Sequence, residues 1–206
     1  MPNLRKMEIS DVNQVVNVHL SSFQGFFLTF LGARFLSLLY SHIACSSDGV
    51  GYVVADEEDR IIGFVSGSTE PSGFYRRFFK KQWLRIVLAT LWPVVRNPSI
   101  IPRLVWRVLR PPQASTDPGT ATLLSIAVLR EHQNKGIGTL LAQEFLSEMQ
   151  HLGIQRVNLT TDREGNDAGN AFYQRLGFRL VRSFVTPEGR WMNEYMISLI
   201  GGDADA

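Results

Sequence analysis

The chain has 206 residues, of which 45% are hydrophobic and 19% charged, enough to bury one sizeable core, and we expect one domain over residues 1–206. Its single cysteine, Cys45, excludes an internal disulfide, and its four histidines lack metal-ligand spacing, so no metal is expected. It has neither a signal-peptide core nor a run of about 18 uncharged apolar residues, which predicts a cytoplasmic protein.

Charge is distributed unevenly along the chain. The formal net charge is +2, yet no acidic residue lies between Glu70 and Asp117, and that segment carries nine basic residues. They are Arg76, Arg77, Lys80, Lys81, Arg85, Arg96, Arg103, Arg107 and Arg110. The same segment holds three of the four tryptophans. We therefore expect it to meet something anionic.

The first half of the chain predicts strands separated by helices. Residues 3–8 form a predicted strand, and Ser10 or Asp11 is placed to cap a helix with valines on one face. Residues 28–43 predict a second, strongly apolar helix. Two β-branched runs around an acidic turn at residues 56–59 predict a hairpin over residues 51–68. Residues 71–116 predict a helical insertion interrupted by Pro93, Pro98 and Pro102.

The second half alternates more regularly. The sequence TATLLSIAV, residues 120–128, is nearly all apolar and predicts a strand covered on both faces. Helices over 137–151 and 166–176 flank a strand over 154–162, and a hairpin over 178–199 follows. The predicted fold class is α/β, with a mixed, mostly antiparallel sheet flanked by helices.

A glycine-containing turn, residues 133–138, joins the apolar strand to the helix that follows. Backbone N–H groups at a helix N-terminus favour phosphate, and glycine lets the anion approach closely. Neither the spacing of a phosphate-loop ATPase nor the third glycine of a dinucleotide site is present, since position 141 is Leu. Taken alone, the turn is equally consistent with a tight structural connection.

Two motifs together resemble the GNAT acyltransferases. The sequence VLREHQNKGIGTLL is similar to the family motif that binds the coenzyme A pyrophosphate, with Gln133, Gly136 and Gly138 at its key positions. The sequence NDAGNAFYQRLGF resembles the second motif, with Asn166 and Tyr173 at its positions. The order of strands and helices also matches the family, except over residues 71–116. The chain further resembles acetyltransferases of bacterial surface-polysaccharide synthesis.

The resemblance implies a cosubstrate, acetyl-CoA, and a set of residues that would bind it. These are Ile126, Ala127, Val128, Gln133, Asn134, Lys135, Gly136, Ile137, Gly138, Asn166 and Tyr173. It also implies that an amine attacks the thioester directly while Tyr173 protonates the leaving thiolate. A phenol of pKa near 10 holds its proton at neutral pH, whereas a thiol ionises near 8.5. The alternatives are a core aromatic for Tyr173 and a helix cap for Asn166.

The general base is less clear, because the family's usual strand glutamate has no counterpart in residues 120–128. Asp162 and Glu70, at the ends of central predicted strands, are the candidate bases. Glu194 is a weaker candidate, which we expect to be a cross-strand charge partner. His19 is more plausibly structural. The missing carboxylate favours an acceptor amine with pKa near 8, about a tenth of which is already neutral at pH 7.

These observations predict an acetyltransferase whose acceptor is a small-molecule amine, first an amino sugar or nucleotide-linked sugar. The alternatives are a protein N-terminal acetyltransferase of the ribosomal-protein type and a non-catalytic acyl-CoA-binding regulatory domain. The basic insertion predicts a phosphorylated or lipid-linked acceptor, or a peripheral contact of residues 75–110 with the inner face of the membrane, unless its helices merely cover the sheet. No nucleic-acid recognition motif accompanies the charges, and a homodimer is left open.

Overall fold

A seven-stranded sheet with helices on both faces forms the body of the protein. The computed structural model describes residues 3–23, 27–96, 119–186 and 189–200. The strands are β1 (Asn3–Lys6), β2 (Gly49–Ala55), β3 (Ile61–Ser68), β4 (Thr120–Val128), β5 (Arg156–Asp162), β6 (Arg179–Val185) and β7 (Trp191–Ser198). The helices are α1 (Val12–Ser22), α2 (Phe27–Phe30), α3 (Gly32–Cys45), α4 (Pro71–Arg96), α5 (Ile137–His151) and α6 (Asp167–Arg175).

The sheet has the strand order β1-β2-β3-β4-β5-β7-β6. Every neighbouring pair is antiparallel except β4 and β5, which are parallel. The predicted hairpin is confirmed as β2 and β3, and the predicted C-terminal hairpin as β6 and β7. The α/β class with a mixed, mostly antiparallel sheet is therefore confirmed.

Two apolar clusters fill the two faces of the sheet. On one face α1, α3 and α4 cover Phe64, with Val15 and Phe78 among the residues completely buried there. On the other face α5 inserts Phe145 against β-strand residues such as Leu159. Alternate residues of one strand supply both clusters, since successive side chains point to opposite faces. This arrangement explains why β3 is buried along its whole length.

Two sequence predictions need correction. The predicted helix over 28–43 is divided into α2 and α3 at Gly32, whose φ of 83° is one that glycine adopts readily. The prediction that Pro93 interrupts the insertion is wrong, because α4 continues to Arg96. Pro93 lies in the last turn of this helix. Proline has no backbone N–H and costs the helix one hydrogen bond, but only a short stretch of helix follows it. Pro98, Pro102 and the rest of residues 97–118 lie outside the described residues.

Candidate active site

β4 and β5 start as partners and then separate. They pair only where residues 120–122 meet residues 156–158. Beyond this point β4 bonds to β3 alone, and β5 bonds to β7 alone. The separation opens a groove between the two strands, and the edge of β4 that faces it has no strand partner. Backbone N–H and C=O groups along such an edge are available to bond an extended ligand.

An irregularity in β4 lies beside this groove. Ser66 of β3 pairs with Ser125, whereas the next residue, Gly67, pairs with Leu123, so Leu124 has no counterpart in β3. This is the pattern of a β-bulge, which bends a strand and redirects its side chains, and such bulges are frequent next to active sites. Leu124 lies two residues before the segment 126–128 to which the family resemblance assigns coenzyme contact.

The glycine turn has the backbone conformation needed to present amides. Gly136 precedes α5 with a φ of 79°, and a Cβ added there would meet no heavy atom within 4 Å. Leu140 donates the first bond of the helix to the Gly136 carbonyl at 2.9 Å. The N–H groups of residues 137–139 therefore precede the helical bonding pattern and form the positive end of the helix dipole.

The polar side chain of Gln133 braces this turn. Its Nε2 donates to the carbonyl oxygen of Val128, the last residue of β4, at 3.0 Å. Gln133, Asn134 and Lys135 are all exposed. The turn therefore combines a held backbone with open access from solvent, and Lys135 adds a positive charge.

The second motif packs against the first. A Cβ added at Gly138 would lie 3.6 Å from the ring of Phe172 in α6, which places the two motifs side by side. The adjacent Tyr173 packs against Phe178 and Tyr195, with ring centroids 5.9 and 6.2 Å away. Burial raises the pKa of Tyr173 to about 12. Tyr173 is therefore a protonated hydrogen-bond donor at neutral pH.

Asn166 connects the end of β5 to the start of α6. It occupies the position before the helix, but its side chain makes no capping bond. Its Nδ2 instead donates to the Oγ1 of Thr161 at 2.7 Å. Asn166 is therefore the N-cap residue by position, and its side chain lies between Thr161 of β5 and Gly169 in the first turn of α6 without bonding to a helix amide.

The structure does not bring the two candidate bases together. Asp162, at the C-terminal end of β5, accepts Arg190 Nε at 3.1 Å on one oxygen and Arg190 Nη2 on the other. Glu70 follows β3 at the end where Ser68 meets Thr122, is largely exposed, and accepts from Arg77 at 2.8 Å. Because β3 and β4 are antiparallel, Glu70 and the glycine turn lie at opposite ends of β4.

Glu194 is also held by a guanidinium. It lies in the middle of β7, is 5% exposed, and accepts from Arg182 Nε at 2.6 Å. This geometry matches the expectation that it is a cross-strand partner. All three carboxylates singled out from the sequence are therefore engaged with arginine.

A buried polar cluster that the sequence did not predict lies under the bulge. His19 Nδ1 is 2.7 Å from the hydroxyl of Tyr40, and both side chains are almost completely buried. Ser66 Oγ lies 3.5 Å from the carbonyl oxygen of Ser125, a residue of the bulge. Burial lowers the pKa of His19 to about 4, so its ring is neutral. We call His19, Tyr40, Ser66 and Ser125 the bulge cluster.

A second pair missed from the sequence lies where β4 and β5 separate. Thr122 Oγ1 donates to Asn158 Oδ1 at 2.5 Å across the last paired residues. No local signal in the sequence identifies these groups. Thr122 and Asn158 are 36 residues apart. The members of the bulge cluster come from four different elements.

A cleft of about 270 Å³ lies between the end of α1 and the segment leading into the glycine turn. Its lining residues are Ser21, Ser22, Leu129, Arg130, Glu131 and Gln133. Most of these side chains are polar, and Gln133 belongs to both the cleft and the turn. The cleft therefore offers polar contacts next to the candidate coenzyme site.

Comparison with known proteins identifies a matching family and one curated relative that aligns with part of the chain. The model of the acetyltransferase (GNAT) family matches residues 14–178. N-alpha-acetyltransferase 30 of Schizosaccharomyces pombe is 40% identical over 64 residues. That match covers 29% of this chain and 42% of the relative, so the chain aligns with less than half of that protein.

Solved structures share the fold across nearly the whole chain. Arabidopsis thaliana NAA60 in complex with acetyl-CoA has a TM-score of 0.63 at 16% identity, covering 98% of this chain and 100% of that one. The ribosomal-protein-S18-alanine N-acetyltransferase of Escherichia coli has a TM-score of 0.61 at 13% identity, covering 100% and 99%. At these identities the likeness concerns the fold.

The family match covers most of the chain and includes both motifs around residues 133–138 and 166–178. It confirms the predicted enzyme class, a GNAT-type acetyltransferase. The predicted cosubstrate, acetyl-CoA, agrees with the ligand of the Arabidopsis thaliana NAA60 structure. By its sequence and its fold, the chain belongs to the acetyltransferase (GNAT) family.

Proposed function

We propose that the protein transfers an acetyl group from acetyl-CoA to the α-amino group of a peptide or protein N-terminus. The sequence alone favoured an amino sugar and kept the N-terminal amine as the alternative. The names of the curated relative and of the Escherichia coli structural neighbour refer to N-alpha or alanine acetylation, and these names favour the alternative.

One observation carries the proposal of acetyl transfer: the two sequence motifs lie side by side beyond the end of β4, past the point where β4 and β5 separate. Gly138 of the first motif lies against Phe172 of the second, and both adjoin the groove that begins after Thr122 and Asn158. A groove edged by unpaired backbone and ending at a helix N-terminus suits a long ligand with a phosphate end and an extended arm.

The residues assigned to the coenzyme follow this geometry. The pyrophosphate would bond to the amides of residues 136–139, with Gln133, Asn134 and Lys135 around it. The pantetheine arm would run along Ile126, Ala127 and Val128, and the thioester would lie near the bulge. Asn166 and Tyr173 would contact the arm from the α6 side.

In the reaction, the neutral amine attacks the thioester carbonyl carbon. A C–N bond forms, the C–S bond breaks, and coenzyme A leaves as a thiolate that takes up one proton, while the new amide nitrogen loses one. We assign the donated proton to Tyr173. A backbone N–H of β4 would stabilise the negative charge on the carbonyl oxygen.

Tyr173 is a weaker acid than a thiol. Burial raises its pKa to about 12, whereas a free thiol ionises near about 8.5, and this difference means that Tyr173 keeps its proton until negative charge develops on the sulfur. Burial disfavours a thiolate as well as a phenolate, and this reduces the difference once the ligand covers the site. We therefore expect Tyr173 to hydrogen-bond the sulfur as charge develops and to complete the transfer late.

The amine loses its proton to water in this proposal. β4 has no carboxylate, and Asp162 is held by Arg190. An α-amino group with pKa near 8 supplies enough neutral amine at pH 7 without a strong base, whereas a lysine side chain near 10.4 does not. The chemistry therefore favours an N-terminal amine over lysine.

An amino sugar carrying phosphate remains the second candidate. It has an amine of comparable basicity, and Arg130 in the cleft beside the turn could pair with a phosphate. In either reaction the amine can lose its proton to water without Asp162 or Glu70. A role of Asp162 or Glu70 as general base stays a prediction.

The test measures release of the coenzyme A thiol from acetyl-CoA with wild type and Tyr173→Phe. The acceptors are peptides with a free N-terminus, the same peptides N-acetylated but containing lysine, amino sugars, and nucleotide-linked amino sugars. We expect turnover on free N-termini, a rate that rises with pH, is half-maximal near pH 8 and levels off above about pH 9, and a loss of about 100-fold in Tyr173→Phe. Coenzyme A affinity should change less than threefold.

Two outcomes would contradict this proposal. Turnover confined to amino sugars would move the function to the second candidate. Saturable coenzyme A binding without turnover on any acceptor would favour a non-catalytic regulatory domain.

A further inference from the structure

Helix α4 has two faces of unlike character. On one side Phe74 and Phe78 are completely buried, and their rings pack against His42 of α3 at 5.2 and 5.4 Å. On the other side Trp83, Leu84, Val87 and Leu88 are 60%, 58%, 53% and 67% exposed. We call these four residues the apolar patch.

The apolar patch is continuous because Trp83 and Val87, and likewise Leu84 and Leu88, lie four positions apart on consecutive turns. Scattered exposed apolar residues are ordinary, but a contiguous group on one helix face marks a contact surface. The inner face of α4 already holds the helix on the domain through Phe74 and Phe78. The patch is therefore not needed for packing against the described part of the chain.

Exposed positive charges surround the apolar patch. Arg76 and Lys80 continue its face towards the start of α4, and Lys81 and Arg85 border it. The sequence contains no acid between Glu70 and Asp117 to neutralise them. Arg77, which turns inward, is the arginine that pairs with Asp48 and Glu70.

Trp83 adds a third feature to the patch. Tryptophan has a large apolar ring with one N–H donor, and it is enriched where an apolar medium meets water. A helix with apolar residues, tryptophan and basic residues on one exposed face is typical of segments that lie in the surface of a membrane.

We propose that α4 binds the surface of an anionic lipid bilayer. The apolar patch enters the boundary between headgroups and acyl chains, and Arg76, Lys80, Lys81 and Arg85 contact the anionic headgroups. The contact lies in the plane of the surface, because no helix of the described residues is long and apolar enough to cross a membrane. The inference is independent of the acceptor proposed above.

Charge decides between lipid and a second copy of the chain. Two α4 helices packed through their apolar patches would bring two sets of exposed lysine and arginine side chains together with no acid from either helix. Like charges at such an interface are unfavourable. An anionic bilayer satisfies both the apolar and the basic components of the face.

The test is vesicle flotation with the full chain. Vesicles of phosphatidylcholine alone are compared with vesicles containing three parts phosphatidylcholine and one part phosphatidylglycerol. We expect binding to the anionic vesicles, much weaker binding to the neutral ones, and loss of binding as salt is raised to about 0.5 M.

Two pairs of variants separate the apolar and basic contributions. Lys80→Gln/Arg85→Gln should weaken partition about 25-fold, because each basic side chain near an anionic leaflet strengthens binding roughly fivefold. Leu84→Gln/Leu88→Gln should weaken it roughly tenfold or more. The matched controls are Arg175→Gln/Arg179→Gln and Leu180→Gln/Val181→Gln, which change exposed residues of the same kinds elsewhere and should bind like wild type.

Circular dichroism melting and coenzyme A binding verify that each variant is folded. The proposal is overturned if neutral and anionic vesicles bind equally, if wild type binds neither, or if the α4 variants bind as well as their controls. A wild-type dimer in solution that Leu84→Gln/Leu88→Gln converts to a monomer, without vesicle binding, would assign the patch to a second copy.

Discussion

The glycine turn and the bulge cluster lie at the two ends of one groove but are built in opposite ways. The turn comes from six consecutive residues, 133–138, and uses mainly backbone atoms. The bulge cluster brings His19 of α1, Tyr40 of α3, Ser66 of β3 and Ser125 of β4 to one buried point.

Because of this difference, we expect the glycine turn to affect coenzyme A binding and the bulge cluster to affect the stability of the fold. The side chains of residues 133–135 in the turn are exposed, so changes there should alter ligand binding with little effect on folding. The bulge cluster is buried and bonded within the protein, so changes there should alter folding first. Three predictions test this separation, starting with the largest expected effect.

Gly138→Asp should abolish most coenzyme A binding while leaving the fold intact. A Cβ fits at this position at ordinary contact distance from Phe172, and an acidic residue in the first turn of a helix is favourable. Next to a pyrophosphate, however, a carboxylate about 4 Å away costs about 4 kcal/mol, equivalent to roughly 1,000-fold in affinity. Isothermal titration calorimetry with coenzyme A measures the effect.

Gln143→Glu adds the same charge to α5 beyond its first turn and serves as the control, with affinity close to wild type. If Gly138→Asp bound coenzyme A within tenfold of wild type, the pyrophosphate would not lie at this helix end. If Gly138→Asp also lowered the melting temperature in proportion to the loss of affinity, it would contradict the prediction that changes at the turn alter binding without altering folding.

His19 should make the free energy of unfolding depend on pH. Burial lowers the pKa of His19 to about 4, against an ordinary value near 6.5. Between these two pH values the histidine is protonated in the unfolded chain and neutral in the native chain. Its contribution to stability is complete above pH 6.5 and falls as pH drops towards 4, by about 2 kcal/mol between pH 6.5 and 5. Urea unfolding at pH 7.5 and pH 5 measures this loss.

His19→Gln should remove most of that slope. The comparison variant is His42→Gln, because burial also lowers the pKa of His42, which faces Asp48, Lys81 and Arg77. An unchanged slope in His19→Gln would mean that His19 is not buried as a neutral ring. Coenzyme A affinity at pH 7.5 should stay within threefold of wild type in both variants.

Asp162→Asn should have the smallest effect. It removes the counterion of Arg190 from a partly exposed pair, with an expected cost of about 1 kcal/mol in the free energy of unfolding. Turnover should fall less than fivefold. Arg190→Gln breaks the same pair from the other side and should cost about the same stability.

A loss of 100-fold or more in turnover with Asp162→Asn, but not with Arg190→Gln, would identify Asp162 as the general base. That outcome would also sharpen the comparison, since it would add a catalytic side chain to the open end of the groove where β5 finishes.

Much of the architecture was accessible from the sequence. The hairpin of β2 and β3, the apolar strand β4, helix α5 and the C-terminal hairpin all follow from patterns within segments of 22 residues or fewer. Pro93 misled the helix prediction, because the position of proline within α4 decides whether it ends the helix, and the end of α4 at Arg96 was not apparent locally.

The family, the order of the elements and the glycine turn follow from the amino-acid sequence, because each depends on residues that are neighbours along the chain. The point where β4 leaves β5, the lack of a counterpart for Leu124 in β3, and the contact of His19 with Tyr40 arise only in the folded chain. The tertiary structure also decides which face of α4 is covered and which exposes the apolar patch. These features depend on pairings between distant segments, and strand register and helix packing are set by the whole core rather than by any local pattern.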